Sequence, residues 1–212
     1  MKALIYKDMT LSWRWSSGIF LLLLAILIGV GITSGIDNTW KIVPAVFAFH
    51  TFILLPLTMG YDEESSFEAF ALGNVATAKT YVTGKYVFAW IESVLGLITT
   101  FVVGAFVARY PGSELIFYVL SGLLIPLLIS SIMLPPIFKY GAEKGRGVMA
   151  ILYILLYLSI FGLREYLPGL YEWLSSLPAF PWLPALIFLG VVLLIHALSF
   201  VLSVKWQEKK EF

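Results

Sequence analysis

The chain has 212 residues, 60% of them hydrophobic and only 13% charged, with a net charge of +1 and no cysteine. Soluble domains run about 45 to 50% apolar and about 25% charged, so this composition specifies an integral membrane protein, and so small a net charge leaves no basic face for nucleic acid. Without cysteine there is no disulfide framework, no thiolate metal site and no cysteine nucleophile.

In chain order, residues 1–15 come first, with Ile5, Met9 and Trp13 at helical spacing and Lys7 and Arg14 on another side. That pattern predicts an amphipathic helix lying in the membrane interface. Membrane-length apolar runs follow at about 17–34, 42–60, 86–108, 115–138, 147–163 and 183–204, each near the ~20 residues that cross a hydrocarbon core. The first run is longer than the apolar core of a secretory signal, and no small-residue cleavage site follows it, so it is expected to stay in place. The predicted fold is therefore all-α: a single membrane domain over 1–212 with six transmembrane helices. In the first run, Ala25, Gly29 and Thr33 form one ridge of small residues and Gly31 with Gly35 another. Such ridges let a second helix approach closely and are candidate dimer contacts.

The stretch 61–85, between the second and third runs, is the one long polar interruption. Asp62, Glu63 and Glu64 lead into Ser65, and Ser65 with Glu68 has the S-x-x-E form of a capping box. A short helix is expected from Glu64 to Leu72, with Phe67, Phe70 and Ala71 on one side and Gly73 as a left-handed cap. Its apolar side either rests on the bilayer or receives a soluble partner. Prolines interrupt the second and fourth runs at Pro56 and Pro126, where kinks are expected. Four prolines and several rings between Glu165 and Pro184 mark the segment 164–182 as an interfacial aromatic belt or as short helices dipping back into the membrane.

With six spans both termini lie on one side. Eleven lysines and arginines fall on that face, including Lys7, Lys79, Lys85 and Lys210, against Lys41, Arg109 and Arg164 on the other. The positive-inside rule makes the first face cytosolic, which places 61–85 and both termini in the cytosol of a multi-pass cell-membrane protein.

Three ionisable residues lie within spans. Glu92 is the only carboxylate well inside one, and His50 and His196 are deep in the second and sixth. An acidic group at mid-helix costs roughly 2.5 to 3.5 kcal/mol on insertion scales, so Glu92 must face protein or a wet cavity. It is either a cavity-lining or proton-accepting group or one half of a structural pair with a hydroxyl or histidine. The three come from separate helices and no H-E-x-x-H is present, which argues against a metal site. No phosphate-binding loop exists either, since GAEKGRG at 141–147 has the wrong spacing.

An interfacial helix, six spans, a helix between spans two and three and a broken segment between five and six resemble the permease subunit of a type-2 ATP-binding-cassette exporter. The likeness is greatest to the small bacterial branch that includes the phenol-soluble-modulin exporter permeases. Asp62, Glu63, Glu64, Phe67, Leu72, Lys79, Tyr81, Val82, Lys85 and Tyr86 fit that family's pattern between spans two and three. Asn74 stands where proline is usual and Ala78 where a basic residue is common. PIFKYGAEKGRG, 136–147, is similar to the family's fourth-to-fifth connection. The resemblance implies a second permease subunit, forming a homodimer with spans one and five at the contact, and two separate cytosolic ATPase subunits docked beneath. ATP and Mg would sit on those ATPases, with no cofactor and no catalysis on this chain. Asp62, Glu63, Glu64, Ser65, Phe67, Glu68, Phe70 and Leu72 would form the coupling helix, and the cargo would be an amphipathic peptide or another hydrophobic molecule. The competing reading is a non-transporting scaffold or regulator that recruits a cytosolic partner.

Overall fold

The computed structural model describes residues 1–15, 18, 25, 43–74, 76–145, 147, 150, 151, 154 and 182–210. Every regular element among them is helical: α1 over residues 2–15, α2 Val43–Glu64, α3 Phe67–Asn74, α4 Ala78–Val102 with a π-helical extension Val103–Val107, α5 Gly112–Tyr140 and α6 Trp182–Gln207. Four are long and apolar enough to cross a membrane, namely Val43–Glu64, Ala78–Val107, Leu115–Tyr140 and Leu186–Gln207. The spans expected at 17–34 and 147–163 lie mostly outside the described residues, as do the segment 164–182 and Gly29, Gly31, Thr33 and Gly35. Ala25 is helical and exposed.

α5 packs against α2, α4 and α6, so it is the hub of the bundle. Its neighbour α4 crosses it at Gly96 and Gly122, where a Cβ on Gly96 would stand 2.5 Å from the Gly122 carbonyl oxygen. Pro126 explains why that oxygen is available. Proline has no N–H to give the carbonyl four residues back, and four back from Pro126 is Gly122. Pro135 likewise leaves the Ser131 carbonyl without its helical donor, and Ser199 Oγ on α6 supplies one at 2.6 Å. Prolines that would break an isolated helix thus become points of attachment, and α5 runs unbroken past Pro126, Pro135 and Pro136.

The helices differ from the apolar windows chiefly at one end. α2 runs to Glu64 rather than residue 60, α4 starts at Ala78 rather than 86, and α6 ends at Gln207 rather than 204. Hydropathy stops at the first charge, whereas a helix continues where that charge finds a partner, and here Asp62, Lys85 and their neighbours do. Thr77 opens α4 as its N-cap, extended at φ −79° and ψ 157°, with its hydroxyl accepting from Thr80 N–H at 3.2 Å. At the far end of α4 the π turn leads to Arg109 at φ 52°. Gly104 sits in that turn because a Cβ there would come within 2.7 Å of Leu115.

α1 lies against the bundle through Leu4, Asp8 and Ser12, one residue per turn, while Tyr6, Met9 and Trp13 are exposed. Its apolar Met9 and Trp13 therefore face away from the protein. Leu4 packs on Gly84 of α4, and Leu11, Ser12 and Trp15 face Leu54 and Thr58 of α2.

Candidate functional site

The end of the bundle that carries α1 and α3 holds most of the charged pairs. Lys85, 2% exposed, donates to Asp8 at 2.9 Å and to Asp62 at 2.7 Å. Lys7 bonds Asp62 and lies 2.9 Å from Asp8, and Tyr81 donates its hydroxyl to Asp62 at 2.7 Å. Two lysines and two aspartates give this cluster no net charge. A buried ion is tolerable only under such compensation, because taking even one from water without it costs several kcal/mol. The cluster joins α1, the last turns of α2 and the first turns of α4.

Two more carboxylates extend this layer. Glu63 Oε1 accepts from the backbone N–H of Ala142 at 2.8 Å, just after Gly141 at φ 86°, and so caps the turn that follows α5. Glu68 accepts from Gln207 Nε2 at 2.8 Å and from Lys210 Nζ at 2.8 and 3.0 Å, tying α3 to the end of α6.

The capping box is therefore corrected. Helix α3 begins at Phe67, not Glu64; Ser66 adopts φ 54°, Ser65 Oγ donates to Tyr61 O at 2.6 Å, and Glu68 is committed to α6. Nor does Gly73 form a left-handed cap, since α3 continues to Asn74, whose side chain donates to Phe70 O at 3.0 Å. The inward face consists of Phe67, Glu68, Ala71 and Leu72, with Lys7 4.4 Å above the Phe67 ring. The outward face carries Phe70, 60% exposed, flanked by Ala69, Gly73 and Asn74, with Glu64 and Ser65 beside it. Of the eight residues expected to act together, Asp62 and Glu68 are buried, Glu63, Phe67 and Leu72 are half-buried, and Glu64, Ser65 and Phe70 are exposed.

Within the membrane the sequence's three ionisable residues part company. His50 Nδ1 lies 2.9 Å from Glu92 Oε2, joining α2 to α4. His196 instead meets Ser131 Oγ at 2.7 Å, with the Tyr86 ring 5.0 Å away. No group of three metal-ligating side chains comes together among the described residues. Glu92 thus has the histidine partner that one of its two readings required. Replacing it with leucine is expected to lower stability by about 1.5 to 3 kcal/mol, the range for hydrogen bonds to charged groups. Glutamine, which keeps an acceptor for His50, should lose less than half of that, as thermal unfolding in detergent would measure.

Several residues of this end were not singled out by sequence. Asp8 and Gln207 carry no motif, and Tyr86, part of the family pattern, gave no sign that its hydroxyl meets Ser199 at 2.5 Å and Ser203 at 2.9 Å. The one available signal was the Lys7–Asp8 pair beside a lysine in the first turns of a span, a juxtaposition visible only once α1 is laid across α4.

Residues 3–208 match the family described as ABC-2 family transporter protein. No curated protein and no solved structure is similar enough to the chain to match it.

Proposed function

The chain belongs to the ABC-2 family of transporter proteins, and on that premise we propose that it is the transmembrane subunit of an ATP-driven exporter in which α3 is the helix that receives the ATPase. Membership makes it the membrane component and not the catalytic one. ATP and Mg are bound and turned over on two separate cytosolic subunits, and a second copy of the permease completes the pathway. The cargo is amphipathic peptide or another hydrophobic molecule, in keeping with spans whose buried ionisable groups are already paired.

The observation that carries this reading is Phe70. A ring 60% exposed on the short helix between two spans, whose Glu68 joins the charged layer, with small Ala69 and Gly73 beside it, is a knob for a groove on another protein. The opposite face of α3, Phe67, Glu68, Ala71 and Leu72, is seated on the bundle, so a push on Phe70 is delivered to the spans.

Six crossings in the cytosol-in orientation fit the same frame. α1 and the end of α2 meet at Lys7 and Asp62, at the opposite end of α2 from its start at Val43, which supports a crossing before α2. α2 alone rises ~33 Å at 1.5 Å per residue. α5 and α6 likewise both finish in the charged layer, through Ala142 and Gln207, which supports the six-span reading. The bias of lysine and arginine to that layer supports a cytosolic placement for it.

Substituting Phe70→Ala should leave the purified chain folded, since the side chain is mostly exposed, while weakening capture of its ATPase at least tenfold, which is about 1.4 kcal/mol. Phe67→Ala should act the other way, destabilising the inward face. Undiminished ATPase capture by the Phe70 variant would overturn the docking assignment. Capture of a cytosolic protein with no ATPase activity would favour the scaffold.

A further inference from the structure

We propose that Glu68 is the positioning residue through which movement of α3 reaches the membrane, and that the span it moves is α6. This rests on α3 being the docking helix. Chain continuity points to α4 as the receiver, but the described residues between α3 and α4, Ala76 and Thr77, are not helical, and Thr77 is extended. α3 and α4 are thus separate rods joined by a bend, and a bend transmits force poorly.

The side-chain route leads elsewhere. Glu68 is the only charged residue of α3, is 5% exposed, and holds three hydrogen bonds from Gln207 and Lys210. Two of these are with an ammonium, so they are charge-assisted and stronger than neutral ones. Ala71 of α3 belongs to the same apolar cluster as Phe200 and Val204, half-buried residues near the end of α6. The buried face of α3 is therefore tied to the end of α6 through Glu68.

Between α4 and α6 the attachment is of another kind. Tyr86 of α4 lies within hydrogen-bond distance of both Ser199 and Ser203, which are one turn apart on α6. A hydroxyl with two partners along the axis keeps one of them when the helix shifts. Tied to α3 through Glu68, α6 is displaced relative to α4 by a stroke on the docking helix.

The absence of cysteine from the chain allows spin labels to test this directly. Labels at Asn74 and Lys209 report α3 against α6, and labels at Lys79 and Lys209 report α4 against α6; all three sites are exposed. In the full chain, diluted with unlabelled copies and bound to its ATPase, distances are read without nucleotide and after trapping with MgATP and vanadate. The Asn74–Lys209 distance should hold one value in both states while the Lys79–Lys209 distance shifts. Glu68→Ala should give the Asn74–Lys209 pair a second, nucleotide-dependent distance with ATPase capture unchanged. Lys210→Ala, at a partly exposed site that keeps the fold, should do so partially.

Glu68→Gln should fall between wild type and Glu68→Ala, because the negative charge facing Lys210 is lost. The introduced amide still accepts from Gln207 Nε2 and offers an N–H to Gln207 Oε1, a buried oxygen with no hydrogen-bond partner among the described residues. A wild-type Asn74–Lys209 distance that changes on trapping, or one that stays fixed in both the Glu68→Ala and Lys210→Ala variants, overturns the proposal. Loss of ATPase capture by Glu68→Ala also overturns it, by making Glu68 part of the docking surface. Failure of the docking reading itself is told apart by the Phe70→Ala capture assay, which does not depend on Glu68.

Discussion

Lys85→Met is expected to destabilise the protein by about 3 to 5 kcal/mol, the usual consequence of removing one partner from a buried ion pair. The lysine ammonium sits between Asp8 and Asp62, both essentially excluded from solvent at 1% and 0% exposure. Once it is gone Lys7 alone faces two carboxylates and the cluster carries a net negative charge with no water to screen it. Methionine fills the volume of the aliphatic stem, so the loss reads the charge and not a cavity. The sharper test is the double variant. Asp8→Asn in the Lys85→Met background returns the cluster to neutrality and should recover more than half of the lost stability, although Asp8→Asn alone is destabilising. A coupling of this sign, measured by unfolding in mixed micelles, identifies the cluster as one unit. Additive effects would show instead that Asp8 and Lys85 act independently. Because the same cluster joins α1, α2 and α4, its loss should also free α1 from the bundle, exposing Leu4 to proteolysis.

How far the sequence could be read depends on whether a residue's role is local. Hydropathy located α2, α4, α5 and α6 to within a few residues at their apolar ends, since burial in a membrane depends on composition alone. It erred where charges are paired across long separations: α4 begins two turns early because Lys85 meets Asp8, 77 residues away, and nothing near Lys85 announces that. The short helix between α2 and α4 was legible as an element but its face was not. Phe67 and Phe70, three apart, read as a joint apolar side with Glu68 as the acid of a capping box. In the structure Glu68 points in, held by residues 139 and 142 positions later, and that rotates Phe70 outward and Phe67 under Lys7. The Glu92–histidine pair was legible as one alternative, because an unpaired carboxylate at that depth is too costly to leave. Small residues were noticed on the first apolar run, whereas the close helix crossing among the described residues uses Gly96 and Gly122, one on each of two consecutive spans. Gly96 with Thr100 does form the small-x-x-x-small spacing, and Pro126, four residues after Gly122, was the other half of that signal.

At that crossing, Gly96→Val is expected to destabilise by about 3 kcal/mol, the upper end for overpacking a close contact. The Cβ would stand 2.5 Å from the Gly122 carbonyl oxygen and 3.2 Å from two atoms of Phe47, so both α5 and α2 obstruct it. Backbone cannot rotate away as a side-chain tip can, and the two helices must separate. Alanine offers a clean comparison because it adds only the Cβ. Helix propensity favours alanine over glycine by about 0.8 to 1 kcal/mol, so an open site should gain from the change. Gly190 on α6, with nothing within 4 Å of its would-be Cβ, is such a site, and Gly190→Ala should be neutral or stabilising. Gly96→Ala should be destabilising despite the same gain, and Gly122→Ala as well, its Cβ meeting Thr100 Oγ1 at 2.5 Å and the Gly96 carbonyl at 2.8 Å. Thr100 Oγ1 donates to Gly96 O at 2.7 Å, so displacing it also costs that bond. Thermal unfolding of the three alanine variants in one detergent separates the two terms. Equal shifts at Gly96, Gly122 and Gly190 would mean that α4 and α5 do not touch there, and the hub position of α5 would fall with it.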